Sequence, residues 1–168
     1  MNINTAGAYI LYNGYFLFMF GFNADKTKLG VVRFGGHVEP GETAFECVIR
    51  EVKEECSLDI EFFRTEPIFV RQVVDGKLSV MYLTYGKGEL RPSMETQGIL
   101  LLRREDIENI CMKNMTFKEY KESGGKYILV DDLPEDYYLF PHVQLHFLHN
   151  LFTSESELMY EYTKHDNR

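Results

Sequence analysis

Residues 36–58 read GHVEPGETAFECVIREVKEECSL and join a glycine-rich turn to a helical pattern. The turn-rich start, HVEPGE, predicts a loop that leads into the helix. From Glu42 to Cys56 there is no Gly or Pro, and apolar side chains recur at spacings of three and four residues, which predicts an amphipathic helix. The apolar positions are Phe45, Val48, Val52 and Cys56.

Three carboxylates share the opposite face of this predicted helix. Glu51 and Glu54 are three residues apart, and Glu51 and Glu55 are four apart, so all three lie side by side. Such pairs destabilise a helix by about 0.2 to 0.5 kcal/mol each, unless a divalent cation turns repulsion into attraction. Because glycine lets the main chain approach closely, a backbone carbonyl from the glycine-rich loop could join them. The pattern predicts half of a metal site, completed by substrate phosphates.

The spacing separates this helix from an ordinary solvated acidic face, which is the common meaning of a Glu-rich segment. It resembles the Nudix box: glycine, five residues, Glu, seven residues, Arg, Glu, an aliphatic residue, any residue, Glu, Glu, any residue, glycine and an aliphatic residue. Chance agreement at eight such positions is about one in a million with typical residue usage. The matches are Gly36, Glu42, Arg50, Glu51, Val52, Glu54, Glu55 and Leu58.

The resemblance implies roles for these residues and a reaction. Arg50 and Glu42 would orient the others, and Glu54 or Glu55 would act as general base, with Glu51 and Arg50 also part of the catalytic set. Water activated by bound Mg²⁺ or Mn²⁺ would attack phosphorus in a phosphoanhydride. The implied metal ligands are Gly36, Glu51, Glu54 and Glu55.

Two positions depart from the family pattern. Ser57 stands where the family has glycine, at a helix end that favours a left-handed backbone, which costs another residue roughly 1 kcal/mol. We therefore expect Ser57 to affect stability more than chemistry. Phe34 replaces the proline common before the paired glycines, Gly35 and Gly36, which puts the loop geometry in question.

The residues before the box predict three strands. Residues 6–12 and 15–21 are β-prone and flank Asn13-Gly14, a strong signal for a hairpin turn. Residues 30–34 predict a short buried strand that ends at the paired glycines.

The residues after the box alternate between strand and helix patterns. Strands are predicted at 58–63, 68–74, 78–85, 98–102 and 127–130, with an Asp75-Gly76 turn. Helices are predicted at 104–111, 117–122 and 136–152, the last interrupted near its start by Pro141.

These elements predict an α/β fold in a single domain spanning residues 1–168, with 153–168 as a frayed C-terminal extension. The resemblance implies a Nudix-type α/β/α sandwich, in which a mixed β-sheet lies between helices. It is also compatible with a homodimer.

Charge and cysteine content limit the partners and the compartment. The chain has 18 Lys and Arg against 26 Asp and Glu, a net charge of −8, which disfavours a nucleic-acid polymer as partner and favours metal-assisted binding of a small anion. No apolar run is long enough to cross a membrane. Cys47, Cys56 and Cys111 form neither a disulfide framework nor a CxxC pair, and the first residues lack a signal peptide, so we expect a cytoplasmic protein.

Candidates outside the box carry weaker signals. Glu95 precedes a predicted strand, where some members of the family place an auxiliary acid, although a solvated loop residue is the simpler interpretation. The second hairpin carries Phe69, Arg71, Tyr82 and Tyr85, for which packing competes with substrate binding. We interpret His37, His142, His146 and His149 as non-catalytic, since none has metal-ligand spacing to a Cys.

Three other functions stay open at this stage. A non-catalytic Nudix domain would bind a nucleotide or an ADP-ribose-like ligand without turnover, although the intact acid set argues against it. An isomerase of isopentenyl diphosphate would need a catalytic Cys in a separate loop motif, which the sequence lacks. A structural acidic helix would match the box only by coincidence. The box handles the diphosphate and leaves the rest of the substrate to other parts of the chain.

Overall fold

The computed structural model describes residues 2–154 and 156–165. Its strands form one mixed sheet in the order β10-β3-β2-β1-β7-β5. β4 also pairs with β1, β6 with β7, and β8 joins β2 to β9. The strands are β1 (Ile3–Tyr12), β2 (Tyr15–Phe22), β3 (Leu29–Val32), β4 (Phe34–His37), β5 (Asp59–Phe62), β6 (Phe69–Gln72), β7 (Leu78–Lys87), β8 (Gly98–Leu102), β9 (Lys126–Leu129) and β10 (Leu139–Pro141).

Helices cover both faces of the sheet. Along β1, Tyr9 and Leu11 belong to one apolar cluster while Ala8 and Ile10 belong to another, as expected when successive side chains point to opposite faces. The first cluster includes α2, α3, α4 and α5, and the second includes α1. This arrangement confirms the α/β/α sandwich. The helices are α1 (Ala44–Cys56), α2 (Arg104–Met112), α3 (Phe117–Glu122), α4 (Val143–Ser154) and α5 (Ser156–Lys164).

The predicted hairpins are confirmed. Asn13 and Gly14 both have positive φ, at 50° and 84°, which is the backbone that a two-residue hairpin turn needs. The second hairpin joins β6 to β7 through a single turn of 3₁₀ helix at Val74–Gly76. The predicted bounds of β8 and α3 agree with the structure.

The strand predicted at 30–34 is wrong in its bounds. It divides at Arg33 into β3, which pairs with β2, and β4, which pairs with β1. Gly35 and Gly36 therefore lie in a strand and not after it. At Gly35 φ is +143° and a Cβ would collide with the Ala6 carbonyl, so glycine is required there.

The long helix predicted at 136–152 is also wrong in its first part. Residues 139–141 form β10, which pairs in parallel with β3 at the edge of the sheet, and α4 begins only at Val143. Pro141 explains the difference, because proline disfavours helical backbone at the preceding residue and is tolerated on an edge strand.

The end of the chain is more ordered than expected. The extension predicted to fray from residue 153 instead includes α5, whose Met159 and Tyr162 are buried. The hydroxyl of Tyr162 donates to the Thr84 carbonyl at 2.5 Å. Residues 155 and 166–168 of that prediction lie outside the described residues. None of the helices in the described part has the length and apolar character of a membrane span.

Candidate active site

The helix that carries the acidic residues begins with a capping box. The Thr43 side chain accepts from the Glu46 N–H, and the Glu46 carboxylate accepts from the Thr43 N–H. The helix therefore begins at Ala44, two residues later than predicted. Cys47, Val48, Val52 and Cys56 bury its apolar face against the sheet, so the acidic residues face outward.

The helix ends at a residue in the left-handed region. Ser57 has φ 69° and ψ 3°, and its N–H donates to the Lys53 carbonyl at 3.0 Å. The last carbonyls of the helix bind a loop that is distant in sequence. The N–H of Arg91 donates to the Cys56 carbonyl, and the N–H of Ser93 donates to the Glu55 carbonyl. This loop leads to Glu95.

Arg50 connects the acidic residues. Its Nε and Nη2 donate to the two carboxylate oxygens of Glu42 at 2.7 and 2.9 Å, and Nη2 also donates to the His37 carbonyl at 3.1 Å. Its Nη1 lies 3.0 Å from Glu51 Oε1 and 3.4 Å from Glu54 Oε2. These hydrogen bonds lower the pKa of Glu42 to about 2. Arg50 thus joins the loop to the acidic face.

The paired glycines make room for two of the carboxylates. A Cβ on Gly36 would collide with the carboxylate of Glu51, so that carboxylate packs against bare main chain. The N–H of Gly35 donates to Glu55 Oε1 at 2.9 Å. The glycines and the helix acids therefore meet at one place, as the resemblance implies.

Glu55 has a carboxyl group whose ionisation is strongly disfavoured. Burial raises its pKa to about 8, the Gly35 hydrogen bond opposes this rise, and the charge of Glu51 adds to it. A carboxylate that is costly to ionise in the protein alone gains from a nearby cation.

Arg33 is a residue that the sequence reasoning missed. Its side chain packs beside Gly7 and Met81, and burial lowers its pKa while the charges of Glu55, Cys47 and Glu51 oppose that effect. Its Nε is buried without a hydrogen-bond partner among the described residues. A cationic residue within the otherwise apolar stretch of residues 30–34 is the sequence signal that could have identified it.

The atoms available to bind a metal are the carboxylate oxygens of the helix acids, beside the main chain of a glycine. Hard divalent cations such as Mg²⁺ prefer oxygen ligands of this kind. Within residues 2–154 and 156–165, no three His, Cys, Asp or Glu side chains already stand in a metal-binding arrangement. Arg50 Nη1 lies 3.0 Å from Glu51 and 3.4 Å from Glu54, so a bound cation would compete with Arg50 for these two carboxylates. The Gly36 carbonyl lies 3.6 Å from the Cys47 thiol.

The acidic face opens into a cavity of about 500 Å³, within the usual range for a small-molecule site. Glu51, Glu54, Glu55 and Glu95 all line it. No Lys or Arg is found among the described residues that line it. His142, predicted to be non-catalytic, also lines the cavity. The rest of the lining carried no signal in the sequence and includes Met19, Gly21, Asn23, Gly30, Val32, Thr96 and Gln97.

The second hairpin contributes to packing. Tyr82 stacks between Phe45 and Phe62 at centroid distances of 5.0 and 5.5 Å. Phe69 contacts Phe147 of α4 in the apolar cluster on the opposite face of the sheet. Tyr85 donates to the Tyr162 carbonyl, and Arg71 lies exposed on β6. None of the four candidates on this hairpin is among the residues that line the cavity. Of the three free cysteines, Cys47 and Cys56 are buried and Cys111 is partly buried.

Comparisons with known proteins agree with this fold. The NUDIX domain profile matches residues 2–124. A NUDIX-family hydrolase from Clostridium perfringens has a similar structure, with a TM-score of 0.54 and 21% identity over 65% of this chain and 86% of that one. An Ap4A hydrolase from C. elegans gives a TM-score of 0.51 and 22% identity over 71% and 89%. No curated protein sequence matches.

Proposed function

This chain belongs to the Nudix family, and we propose that it is a metal-dependent pyrophosphohydrolase. Its substrate would be a nucleoside diphosphate linked to another moiety, cleaved at the phosphoanhydride. The observation that carries this proposal is a cavity lined by four Glu and, among the described residues, by no Lys or Arg. Such a cavity attracts a phosphate only if cations bind with it.

Glu51, Glu54 and Glu55 would hold Mg²⁺ or Mn²⁺, with the Gly36 carbonyl as a further ligand. When bound, the cation lowers the pKa of water and neutralises charge on the phosphate oxygens. Arg50 positions Glu51 and Glu54 through Nη1 and fixes the loop through Glu42. Glu54 or Glu55 would accept the proton of the attacking water, and Glu95, which lines the same cavity, is the auxiliary acid.

The relatives are compatible with this class of substrate without selecting one. One is the Ap4A hydrolase. Another is a MutT structure from work on the proteins of Aliivibrio salmonicida and Vibrio cholerae, with a TM-score of 0.50 and 16% identity over 64% of this chain and 82% of that one. At such identities the likeness concerns the fold alone. The proposal therefore rests on the cavity.

The remaining expectations belong to the same proposal. A small-molecule substrate, a cytoplasmic location and a homodimer are compatible with the net charge of −8 and with the fold. Sedimentation of the purified protein would test the homodimer. A single species at the mass of one chain would contradict it.

The test is incubation with nucleoside triphosphates, nucleotide sugars, ADP-ribose and dinucleoside polyphosphates, with products identified by mass spectrometry. Mg²⁺ or Mn²⁺ should support cleavage of a phosphoanhydride, and exhaustive chelation should abolish it. Full activity after chelation would contradict the metal-dependent mechanism. Tight binding without any product would indicate the non-catalytic alternative.

A further inference from the structure

The cavity has a second end, where two glycines face each other across adjacent strands. Gly21 on β2 pairs with Gly30 on β3. Two residues along each strand, Met19 pairs with Val32. Side chains of residues two apart on a strand lie on the same face, so these positions form one side of the cavity. At the glycine pair, β2 and β3 contribute no side chains of their own.

A polar side chain occupies the space over each glycine. A Cβ on Gly21 would collide with the amide of Gln97, and a Cβ on Gly30 would lie 3.0 Å from Nε2 of His142. Opposite residues in an antiparallel pair are about 5 Å apart, so the amide and the imidazole are neighbours. The two glycines thus admit two polar groups into the cavity.

The orientation of the Gln97 amide is fixed by one hydrogen bond. The Phe22 N–H donates to its oxygen at 2.7 Å, so the atom over the strand must be Oε1. The amide nitrogen then has two N–H groups, and no hydrogen bond within the described residues uses them. Loop contacts fix the main chain on either side, since the Val130 N–H donates to the Gln97 carbonyl at 2.9 Å and Thr96 donates to the Glu55 carbonyl at 3.2 Å.

The groups at this end are polar and uncharged. Burial and the nearby charge of Arg33 lower the pKa of the His142 imidazole, which favours its neutral form. No hydrogen bond of its ring nitrogens is present in the described part of the chain. Met19 and Val32 add apolar surface. This end therefore suits an uncharged planar ring with hydrogen-bonding atoms on its edge, and lacks the cations that a further phosphate would need.

We propose that this end of the cavity binds the nucleobase of the substrate and that Gln97 is a specificity-determining residue, whose amide N–H groups donate to an acceptor on the base edge. The inference rests on the proposed function, because it takes the diphosphate to lie at the acidic end of the same cavity. His142 closes the open edge beside the base.

The test measures binding, so that it does not depend on turnover. Calorimetry in Mg²⁺ would compare α,β-imido nucleoside triphosphates of the four common bases with imidodiphosphate, which lacks a base. At least one nucleotide should bind wild type tenfold or more tightly than imidodiphosphate. Gln97→Glu replaces the donor by an acceptor at the same length and should remove this preference.

Two further variants separate the subsite from general damage. Gly21→Ala changes no polar group but displaces the Gln97 amide, and should remove the preference as well. Gln72→Glu makes the same chemical change on exposed β6, outside the cavity, and should keep it. Thermal unfolding shows which variants are folded.

The outcomes distinguish the two proposals. If phosphoanhydrides are hydrolysed but every nucleotide binds wild type no better than imidodiphosphate, the nucleobase subsite is wrong and the hydrolase assignment stands. A nucleobase preference that persists in both folded variants would also overturn the role of Gln97. A Gln97-dependent preference without hydrolysis would overturn the hydrolase assignment and support the subsite.

Discussion

Arg50 and Glu42 form a two-point contact, with Nε and Nη2 of the guanidinium at 2.7 and 2.9 Å from the two carboxylate oxygens. Glu42 belongs to the loop before α1, and Arg50 lies two turns into the helix. The contact fixes the loop to the face that carries the acids. A planar guanidinium is suited to this geometry, whereas the single ammonium of lysine is not.

Arg50→Lys should therefore affect both stability and turnover. We expect the free energy of unfolding to fall by about 1 to 2 kcal/mol and turnover to fall at least about tenfold. The matched control is Arg103→Lys, because Arg103 makes the same two-point contact with Asp106, at 3.0 and 2.9 Å, outside the cavity. Arg103→Lys should reduce stability alone. Equal effects of the two changes on turnover would contradict a positioning role for Arg50.

Ser57 allows a test of backbone strain. Its φ of 69° confirms the left-handed conformation expected at the end of α1. Ser57→Gly should raise the free energy of unfolding by about 0.5 to 1 kcal/mol, reduced from the full gain because the hydroxyl also donates to the Arg91 carbonyl at 3.2 Å. Ser57→Ala keeps the strain and loses that bond, so it should be less stable than wild type. A tenfold change in turnover for Ser57→Gly would show that the position affects chemistry.

The packing of α5 gives a further prediction. Tyr162 is fully buried and donates to the Thr84 carbonyl, so Tyr162→Phe should lower the free energy of unfolding by about 1 to 2 kcal/mol. Tyr160→Phe on the same helix, where the side chain is 65% exposed, should change it by less than about 0.5 kcal/mol. Chemical denaturation measures both. Equal small effects would indicate that α5 does not dock as described.

Local patterns predicted the parts of the fold that local physics determines. Asn13-Gly14 identifies a hairpin because few residues adopt positive φ, and the apolar spacing in residues 44–56 identifies α1. The sequence also carries a capping signal, Thr43 followed by Glu46, which would have placed the start of the helix correctly. Pro141 was assigned to a helix because nothing local reveals that β10 pairs with β3, a strand more than a hundred residues earlier.

The two ends of the site differ in the same way. Apart from Glu95, the acidic end is formed by one helix and the loop before it, residues 36–55, so its spacing is visible in the sequence. The other end depends on the register that places Gly21 opposite Gly30 and on a loop that brings Gln97 over them. The residues at that end belong to no local sequence motif. Only the pairing of β2 with β3 makes the two glycines a functional pair.

The last prediction concerns Glu54 and Glu55, for which structural and catalytic roles imply opposite results. In the metal-free protein at pH 7, Glu55→Gln should raise the free energy of unfolding by at least a few tenths of a kcal/mol. The raised pKa means that Glu55 ionises freely in the unfolded chain but not in the folded one, which favours unfolding, whereas an uncharged amide avoids this cost and can still accept from Gly35. Glu54 is 60% exposed, so Glu54→Gln should change stability little.

Turnover should move in the other direction. If both residues hold catalytic metal, each change should cost at least about 2.7 kcal/mol, or a hundredfold in turnover at saturating Mg²⁺. Glu108→Gln is the matched control, since Glu108 is an exposed helical Glu on α2 outside the cavity and should leave turnover unchanged. Thermal unfolding of the metal-free proteins and turnover of the same preparations provide the two measurements. Retention of more than about a tenth of wild-type turnover by both cavity variants would rule out the metal-ligand assignment, because a loss under about 1.4 kcal/mol is too small for removal of a direct metal ligand.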